Sequence, residues 1–346
     1  MSIHRLYRKR FLKRFLIAFG FTALIVLLLW IALISGAGGL VWSDSIKLLH
    51  LQNEPEAFRV IIESIRLPRA LAALLVGMLL GLSGVAIQGV LHNPLASPFT
   101  LGISQAAGFG AAFAIIVLES TSFSHPLLSK FSIALCAFIA SMLCTFLIVW
   151  IGKKVQMRPS SIILAGVGLG SLFHSGTMFL QYFTTEINAA AALFWTFGDL
   201  SKATYENITF LTLIFLPSLL LLWIGHWKFD ALCFGDESAF NKGVHVQTFR
   251  SVVFLISALC TAGAVAFFGI IGFIGLVAPH LVRLLLGGAH SMLIPLSALC
   301  GGALLLGADL LARMLLYPSI LPVGILTSFI GAPVLLYLLT TQGKRL

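Results

Sequence analysis

Few residues of this 346-residue chain have the type and spacing to do chemistry. Arg66 and Arg69 flank Leu67-Pro68 immediately before a long apolar run. Asp309 and Arg313 stand four residues apart on a predicted helix, the spacing of a helical ion pair. Away from the ends of the other apolar runs, His174, His280 and Arg283 are the His, Lys, Arg, Asp or Glu residues that interrupt them. No G-x-x-x-x-G-K-[ST] phosphate cradle, H-E-x-x-H metal motif or G-x-S-x-G nucleophile elbow is present. Gly152-Lys153-Lys154 and Gly343-Lys344-Arg345 come nearest to the first, but both lack the upstream glycine and the Ser or Thr that binds magnesium. The sequence therefore offers no catalytic residue, no metal cluster and no nucleotide site, and any ATP that drives this protein must bind another chain. Its five cysteines form no C-x-x-C pair, and four lie in apolar runs as small core hydrophobes.

Two polar segments interrupt the hydrophobic pattern. The stretch 227–249, WKFDALCFGDESAFNKGVHVQTF, reads as a cytoplasmic loop. Within it Gly235 to Gly243 places Asp236 and Glu237 first, a helix-forming middle with Ala239, and a closing glycine, the order of a short capped helix suited to gripping a soluble partner. The break HNPLASP at 92–98 holds two prolines and Asn93. Irregular backbone at membrane depth survives only where protein or a water-filled path covers it, so this break is either a pathway gate or a tight turn. The pair Arg66 and Arg69 has two readings as well, a functional outer patch or an interfacial anchor whose side chains snorkel.

The elements that must position these residues are membrane helices. Hydrophobic residues make up 59% of the chain and charged ones 10%, and mean hydropathy is +1.04. A soluble domain carries about a quarter charged residues, so lipid is the solvent here. Apolar runs of about twenty residues lie near 15–36, 67–91, 100–118, 127–151, 160–184, 205–225, 248–272, 274–287, 294–316 and 322–341, predicting an all-α membrane domain of about ten spans over 1–346. The first run is too long for the core of a secretory signal and reads as an uncleaved span.

Charge placement orients the spans. Arg5, Arg8, Lys9, Arg10, Lys13 and Arg14 precede the first run with no acid among them, the positive-inside signature of a cytoplasmic N-terminus. With ten spans the C-terminus is cytoplasmic too, and fourteen basic residues fall on inner segments against six on outer ones. Acids lean the other way, with Asp44, Glu54 and Glu119 among eight placed outside. This pattern makes the net charge of +10 a membrane signal, and no nucleic-acid partner is expected.

Glycines cluster inside the spans as GMLLGLSG (77–84), GVGLG (166–170) and GGALLLG (301–307), small-residue stripes that let helix backbones approach. GLSGVAIQGVLHNPLASP and GAVAFFGIIGFIGLVAP share a glycine-studded helix running into a proline break, in opposite orientations, as an inverted repeat would.

In RLPRALAALLVGMLLGLSGVAIQGVLHNPLASPFTLGIS (66–104), ILAGVG (163–168), FGDESAFNKGV (234–244), GFIGLVAPHLVRLLLG (272–287), GADLLAR (307–313) and LPVGILTSFIGAPVLLYLL (321–339), the sequence resembles the permease family that includes the cobalamin, haem and ferric-siderophore importers of bacteria. The resemblance implies a BtuC-like subunit of an ATP-binding-cassette importer in the bacterial or archaeal inner membrane. It implies pairing with a second permease subunit, identical or homologous, together with two ATPase subunits that hold ATP and magnesium, and a periplasmic or lipid-anchored binding protein. By the same resemblance, Arg66, Arg69 and Arg313 receive the binding protein, and Gly235, Asp236, Glu237, Ala239 and Gly243 form the ATPase-coupling helix. Asn93, Pro94 and Leu95 form an inner gate, Ser160 and Ser161 a second one, and Gly166, Gly168, Gly170 and Ser171 line the path. Gln105-Ala106 and FGDLS (197–201) depart from the family pattern. The expected cargo is a ferric siderophore, with cobalamin, haem or an oxyanion as alternatives. An ion-coupled transporter acting alone is the rival reading and requires buried carboxylates along a path; a membrane-embedded enzyme requires a nucleophile-base pair or metal cluster.

Overall fold

The computed structural model describes residues 3–36, 39–40, 47–48, 51, 55–118, 126–316 and 319–342. Lys344 and Arg345 of the inner basic set, and the acids Asp44, Glu54 and Glu119, lie outside the described residues. The chain forms helices α1 (Ile3–Ile34), α2 (Glu56–Leu91), α3 (Ile103–Leu118), α4 (Pro126–Lys154), α5 (Pro159–Tyr182), α6 (Glu186–Trp195) and α7 (Tyr205–Ile224). These are followed by α8 (His226–Leu232), α9 (Asp236–Asn241), α10 (Val246–Phe268), α11 (Ile274–Leu286), α12 (His290–Leu315) and α13 (Val323–Gln342). A two-residue antiparallel pairing of Ser35–Gly36 with Gly39–Leu40 is the one strand contact among the described residues.

Seven helices among the described residues are long and apolar enough to cross a bilayer: the Leu12–Ile34 part of α1, then α2, the Ser132–Lys154 part of α4, α5, α7, α10 and α12. Three shorter apolar helices, Ile103–Leu118, Ile274–Leu286 and Val323–Leu336, occupy the third, eighth and tenth expected positions. α11 has 13 residues, about 20 Å at 1.5 Å per residue, short of the roughly 30 Å hydrocarbon core. Hydropathy alone also misses the start of α2, which begins at Glu56 and passes through a π-helical stretch, Ile61–Arg66, before the apolar run.

α2 is the central post. From Leu67 to Leu91 it is buried on nearly every side, and α10, α11 and α12 pack around it. Its glycines make this possible. A Cβ on Gly77 would strike the Gly301 carbonyl, one on Gly81 the Ser297 carbonyl, and one on Gly84 the Gly275 carbonyl. Small residues therefore bring the backbones together, and dispersion over that contact replaces the hydrophobic drive that lipid does not supply. Ser83 adds a polar tie, its hydroxyl 2.9 Å from both the Ser257 carbonyl and Thr261 Oγ1 of α10.

Between α10 and α11 the chain leaves helix at Gly269 (φ 74°) and re-enters after Phe273 (φ 65°). This irregular stretch is covered by protein, as backbone at membrane depth must be. Asp199 N donates to the Phe268 carbonyl at 2.7 Å, and a Cβ on Gly269 would meet the Trp195 carbonyl. Gly324 fits equally closely against the Phe197 and Ile270 carbonyls, so the FGDLS segment wedges between α10, α11 and α13.

Candidate functional site

The polar residues gather at the two ends of α2. At its start, Arg69 reaches Asp309 of α12 through Nε (2.9 Å) and Nη2 (2.8 Å), both on Oδ1. Arg313, one turn after Asp309, closes the other side with Nε 3.1 Å from Oδ2. Arg66 donates to the Leu33 carbonyl at 2.6 Å, and Arg313 Nη1 to the Ala32 carbonyl at 3.4 Å, so both arginines satisfy carbonyls that the end of α1 leaves open. Asp309 is fully buried, Arg69 and Arg313 are 5% and 8% exposed, and Arg66 is half-buried. The docking patch expected from Arg66, Arg69 and Arg313 is thus drawn inward: Asp309 takes up the charge of two of the three, because a buried guanidinium must be paired.

At the opposite end, α2 terminates at His92, which adopts the left-handed conformation (φ 49°). Asn93 Oδ1 accepts from Leu95 N at 2.9 Å in an Asx turn, and the Ala96 N–H donates to the Asn93 carbonyl at 3.1 Å. Ser97 and Thr100 bond one another reciprocally, with Ser97 N to Thr100 Oγ1 at 3.0 Å and Thr100 N to Ser97 Oγ at 3.3 Å. The break at 92–98 is therefore a locally locked turn whose tip, Leu95, is exposed while Asn93 and Pro94 are half-buried. His92 titrates below its ordinary value, first because burial disfavours its charged form and next because Arg250 is near.

Ser160 and Ser161 open α5 behind Pro159 at its first turn, Ser160 exposed and Ser161 half-buried. Along α5 the four path residues divide. Gly168 and Ser171 lie on the exposed face, with Leu164, Leu172 and Ser175 beside them. Gly166 and Gly170 face the other way and are buried, where a Cβ on Gly166 would lie 2.8 Å from Leu101 Cα and Gly102 stands against Gly170. They are packing glycines, which corrects the reading of all four as wall. Helical period decides it, since 166 and 170 share one face and 168 and 171 the other.

The expected short helix is present as α9, framed by Gly235 (φ 96°) and Gly243 (φ 83°). Ala239 is buried and fixes it to the body, while Glu237 is exposed and Asp236 half-exposed. Phe234 and Phe240, 73% and 64% exposed, project beside them, leaving apolar surface where a partner can cover it.

Three supports escaped the sequence reading. Phe229 of α8 is fully buried in the notch at Gly89, between Phe249 (centroids 4.9 Å apart) and His290 (5.2 Å). Asp230 Oδ1 accepts from both the backbone N–H (3.0 Å) and Nδ1 (2.7 Å) of His290, capping α12 and pinning α8 to it. Arg250 of α10 is 1% exposed and forms a bidentate pair with Asp236, Nη1 to Oδ2 and Nη2 to Oδ1, both 2.8 Å. An arginine in the first turn of an otherwise uncharged helix was the available signal, because membrane helices keep such groups only where they are paired.

Among the described residues the charged side-chain pairs gather at the two ends of the helical bundle, with the exposed helix α9 at one of them. The chain belongs to the FecCD transport family, whose sequence model matches residues 24–341. It is 45% identical over 294 residues to a protein of Methanocaldococcus jannaschii provisionally named an ABC transporter permease, covering 83% of each chain. It is 36% identical over 338 residues to the Fe(3+)-citrate import system permease of Bacillus subtilis, covering 96% of this chain and 97% of that one. It is also 36% identical to the hemin transport system permease of Yersinia pestis, covering 93% and 95%. Among solved structures, an inward-facing conformation of a provisionally assigned metal-chelate type ABC transporter superposes with a TM-score of 0.81 at 30% identity, over 93% of this chain and 98% of that one. The chain is thus a multi-pass permease subunit of an ABC importer, and ATP hydrolysis lies on a separate subunit.

Proposed function

We propose that this permease imports a ferric siderophore across a bacterial or archaeal plasma membrane, with both termini in the cytoplasm. It pairs with a second permease copy or close homologue, two ATPase subunits that hold ATP and magnesium dock on α9, and an extracytoplasmic binding protein docks at the Arg66 end. The observation that carries the cargo reading is the exposed face of α5, where Gly168, Ser171 and Ser175 interrupt an apolar helix that has no Asp, Glu, Lys or Arg, with His174 exposed beside them. Such a wall is wide and weakly interacting, suited to a bulky chelate that must be released rather than held. The ferric-citrate importer among the relatives supports an iron chelate, and the hemin permease keeps haem as the alternative beside cobalamin and oxyanions.

Docking rests on charge. Arg66, Arg69 and Arg313 gather around one buried acid, Asp309, and give this end an arginine-rich field, and Arg313 Nη2 has no hydrogen-bond partner among the described residues. Carboxylates of an incoming protein complement that field, which orients and speeds encounter more than it adds affinity. The rival, an ion-coupled transporter acting alone, needs a free buried carboxylate. Asp309 is the one fully buried acid among the described residues, and two arginines occupy it.

Vesicles containing the permease, its ATPase and its binding protein test the proposal when supplied in turn with ferric siderophore, haem, cobalamin and molybdate. ATP-dependent uptake of the siderophore is expected. Uptake of one of the others instead reassigns the cargo, and concentrative uptake without the ATPase overturns the mechanism. Charge reversal of Arg66 to Glu is expected to slow binding-protein association and to remove most of its salt dependence.

A further inference from the structure

α10 carries a single charge over 23 residues, Arg250, and it is 1% exposed. A guanidinium offers donors in a rigid planar fork, and here the fork is divided among three separate segments. Nε donates to the Val90 carbonyl at 3.0 Å, in the last turn of α2 and two residues before His92. Nη1 donates to the Met157 carbonyl at 3.2 Å, in the turn leading into Ser160. Nη1 and Nη2 together hold both oxygens of Asp236, the first residue of α9. The two turns it holds are themselves strained or locked: His92, Gln156 and Met157 all have positive φ.

One face of this arrangement reaches the surface. The Asp236 side chain is 50% exposed, and it lines a cleft with Gln156, Glu237, Phe240, His245 and Gln247. A protein seated on α9 therefore touches the carboxylate that Arg250 grips, and Arg250 grips the backbone of both turns that precede the path. Because the fork is planar and every contact is short, α9 cannot shift or tilt without either pulling Val90 and Met157 with it or breaking the pair.

We propose that Arg250 is the positioning residue that transmits movement of α9 to the 92–98 turn and to the start of α5, so that one guanidinium links the docked ATPase to both inner gates. This rests on the reading of α9 as the ATPase-binding helix. Lysine keeps the charge but is a point donor that cannot span Asp236 and two carbonyls at once, so Arg250→Lys separates coupling from charge.

The test uses the full complex in vesicles. For Arg250→Lys, co-purification with the ATPase and basal ATP hydrolysis are expected to persist, while cargo taken up per ATP falls by about tenfold. Arg250→Met is expected to fall further, and Asp236→Asn, altered at the half-exposed partner, to fall in the same direction. Spin labels at Leu95→Cys and Asn241→Cys report the link directly. Their separation is expected to hold on ATP binding in the parent and to change in Arg250→Lys. Unaltered uptake per ATP in Arg250→Lys, or an unaltered label distance, overturns the proposal, as does a loss of transport that merely tracks a loss of assembled complex across all three variants. Failure of the parent complex to hold the ATPase at α9 refutes instead the docking reading beneath it.

Discussion

Arg69 and Asp309, 240 residues apart in the chain, meet through two contacts on one carboxylate oxygen at 2.8 and 2.9 Å, and Arg313 takes the other oxygen. Three helices are pinned by this cluster, since Arg313 also reaches the end of α1. Its energetic weight lies in what its loss exposes. Asp309→Ala leaves two buried guanidinium groups facing each other, and breaking a buried pair from one side costs about 3–5 kcal/mol. A clearly lowered unfolding temperature in lipid nanodiscs is expected. The triple variant Arg69→Met/Asp309→Leu/Arg313→Met removes all three charges and should recover much of the difference; no recovery would show that the cluster acts by shape and not by charge.

The glycine seams give a sharper contrast. Gly84 lies so near Gly275 that a Cβ would meet its carbonyl and sit 2.7 Å from its Cα. Backbone cannot rotate aside as a side chain can, so Gly84→Ala should exceed the usual overpacking cost of about 1–3 kcal/mol and yield little monodisperse protein. Gly20, with nothing within 4 Å of the same position, should accept alanine without loss. Equal yields of the two variants would contradict the close packing of α2.

Much of this architecture was legible in hydropathy alone, and the reasons for the exceptions are physical. Seven of the ten apolar runs hold a helix long enough to cross a bilayer, because apolar length is what a bilayer selects, while the third, eighth and tenth hold shorter apolar helices. The Glu56–Arg66 extension of α2 is helical but charged, so a hydropathy window excludes it. α6 went unseen because EINAAAALFW is too short to span and lies in a connection otherwise free of helix signals. α9 was readable from its acids and flanking glycines, which are local features. A lone arginine near the start of an apolar helix hinted that Arg250 is paired, but its role was not readable, since its partners at Val90, Met157 and Asp236 come together only in three dimensions. The Arg69–Asp309 contact is hidden for the same reason.

His92 provides a pH test. Burial is the main cause of its lowered titration, Arg250 adds to it, and Asp236 and a backbone contact at Leu232 oppose both; His290 also lies within electrostatic range. With the folded value below the ordinary histidine value of about 6.5, the unfolded chain takes up the proton first. Stability is therefore unaffected by this group above that value and falls as pH drops through it toward the folded value. His92→Gln should flatten the acid side of the stability profile. Arg250→Gln should move the His92 titration upward in an NMR experiment with ring-labelled histidine, and a downward move would contradict the assigned electrostatics.

The division of α5 into two faces permits a test in which fold and transport respond to different glycines, two residues apart in sequence and opposite in direction. At Gly166 a Cβ meets Leu101 Cα at 2.8 Å, whereas at Gly168 nothing lies within 4 Å. Gly166→Ala should lower the unfolding temperature, with the transport rate per folded complex nearly intact. Gly168→Trp should leave the unfolding temperature unchanged yet obstruct the path, because a large ring on an open face costs the fold little but fills space the cargo needs. Ser171→Cys, on that same face, should be labelled by a membrane-impermeant thiol reagent, and cargo in transit should protect it. If Gly168→Trp transports normally and Ser171→Cys reacts only with lipid-soluble reagents, this face of α5 lies against lipid and the conduit must run along another helix.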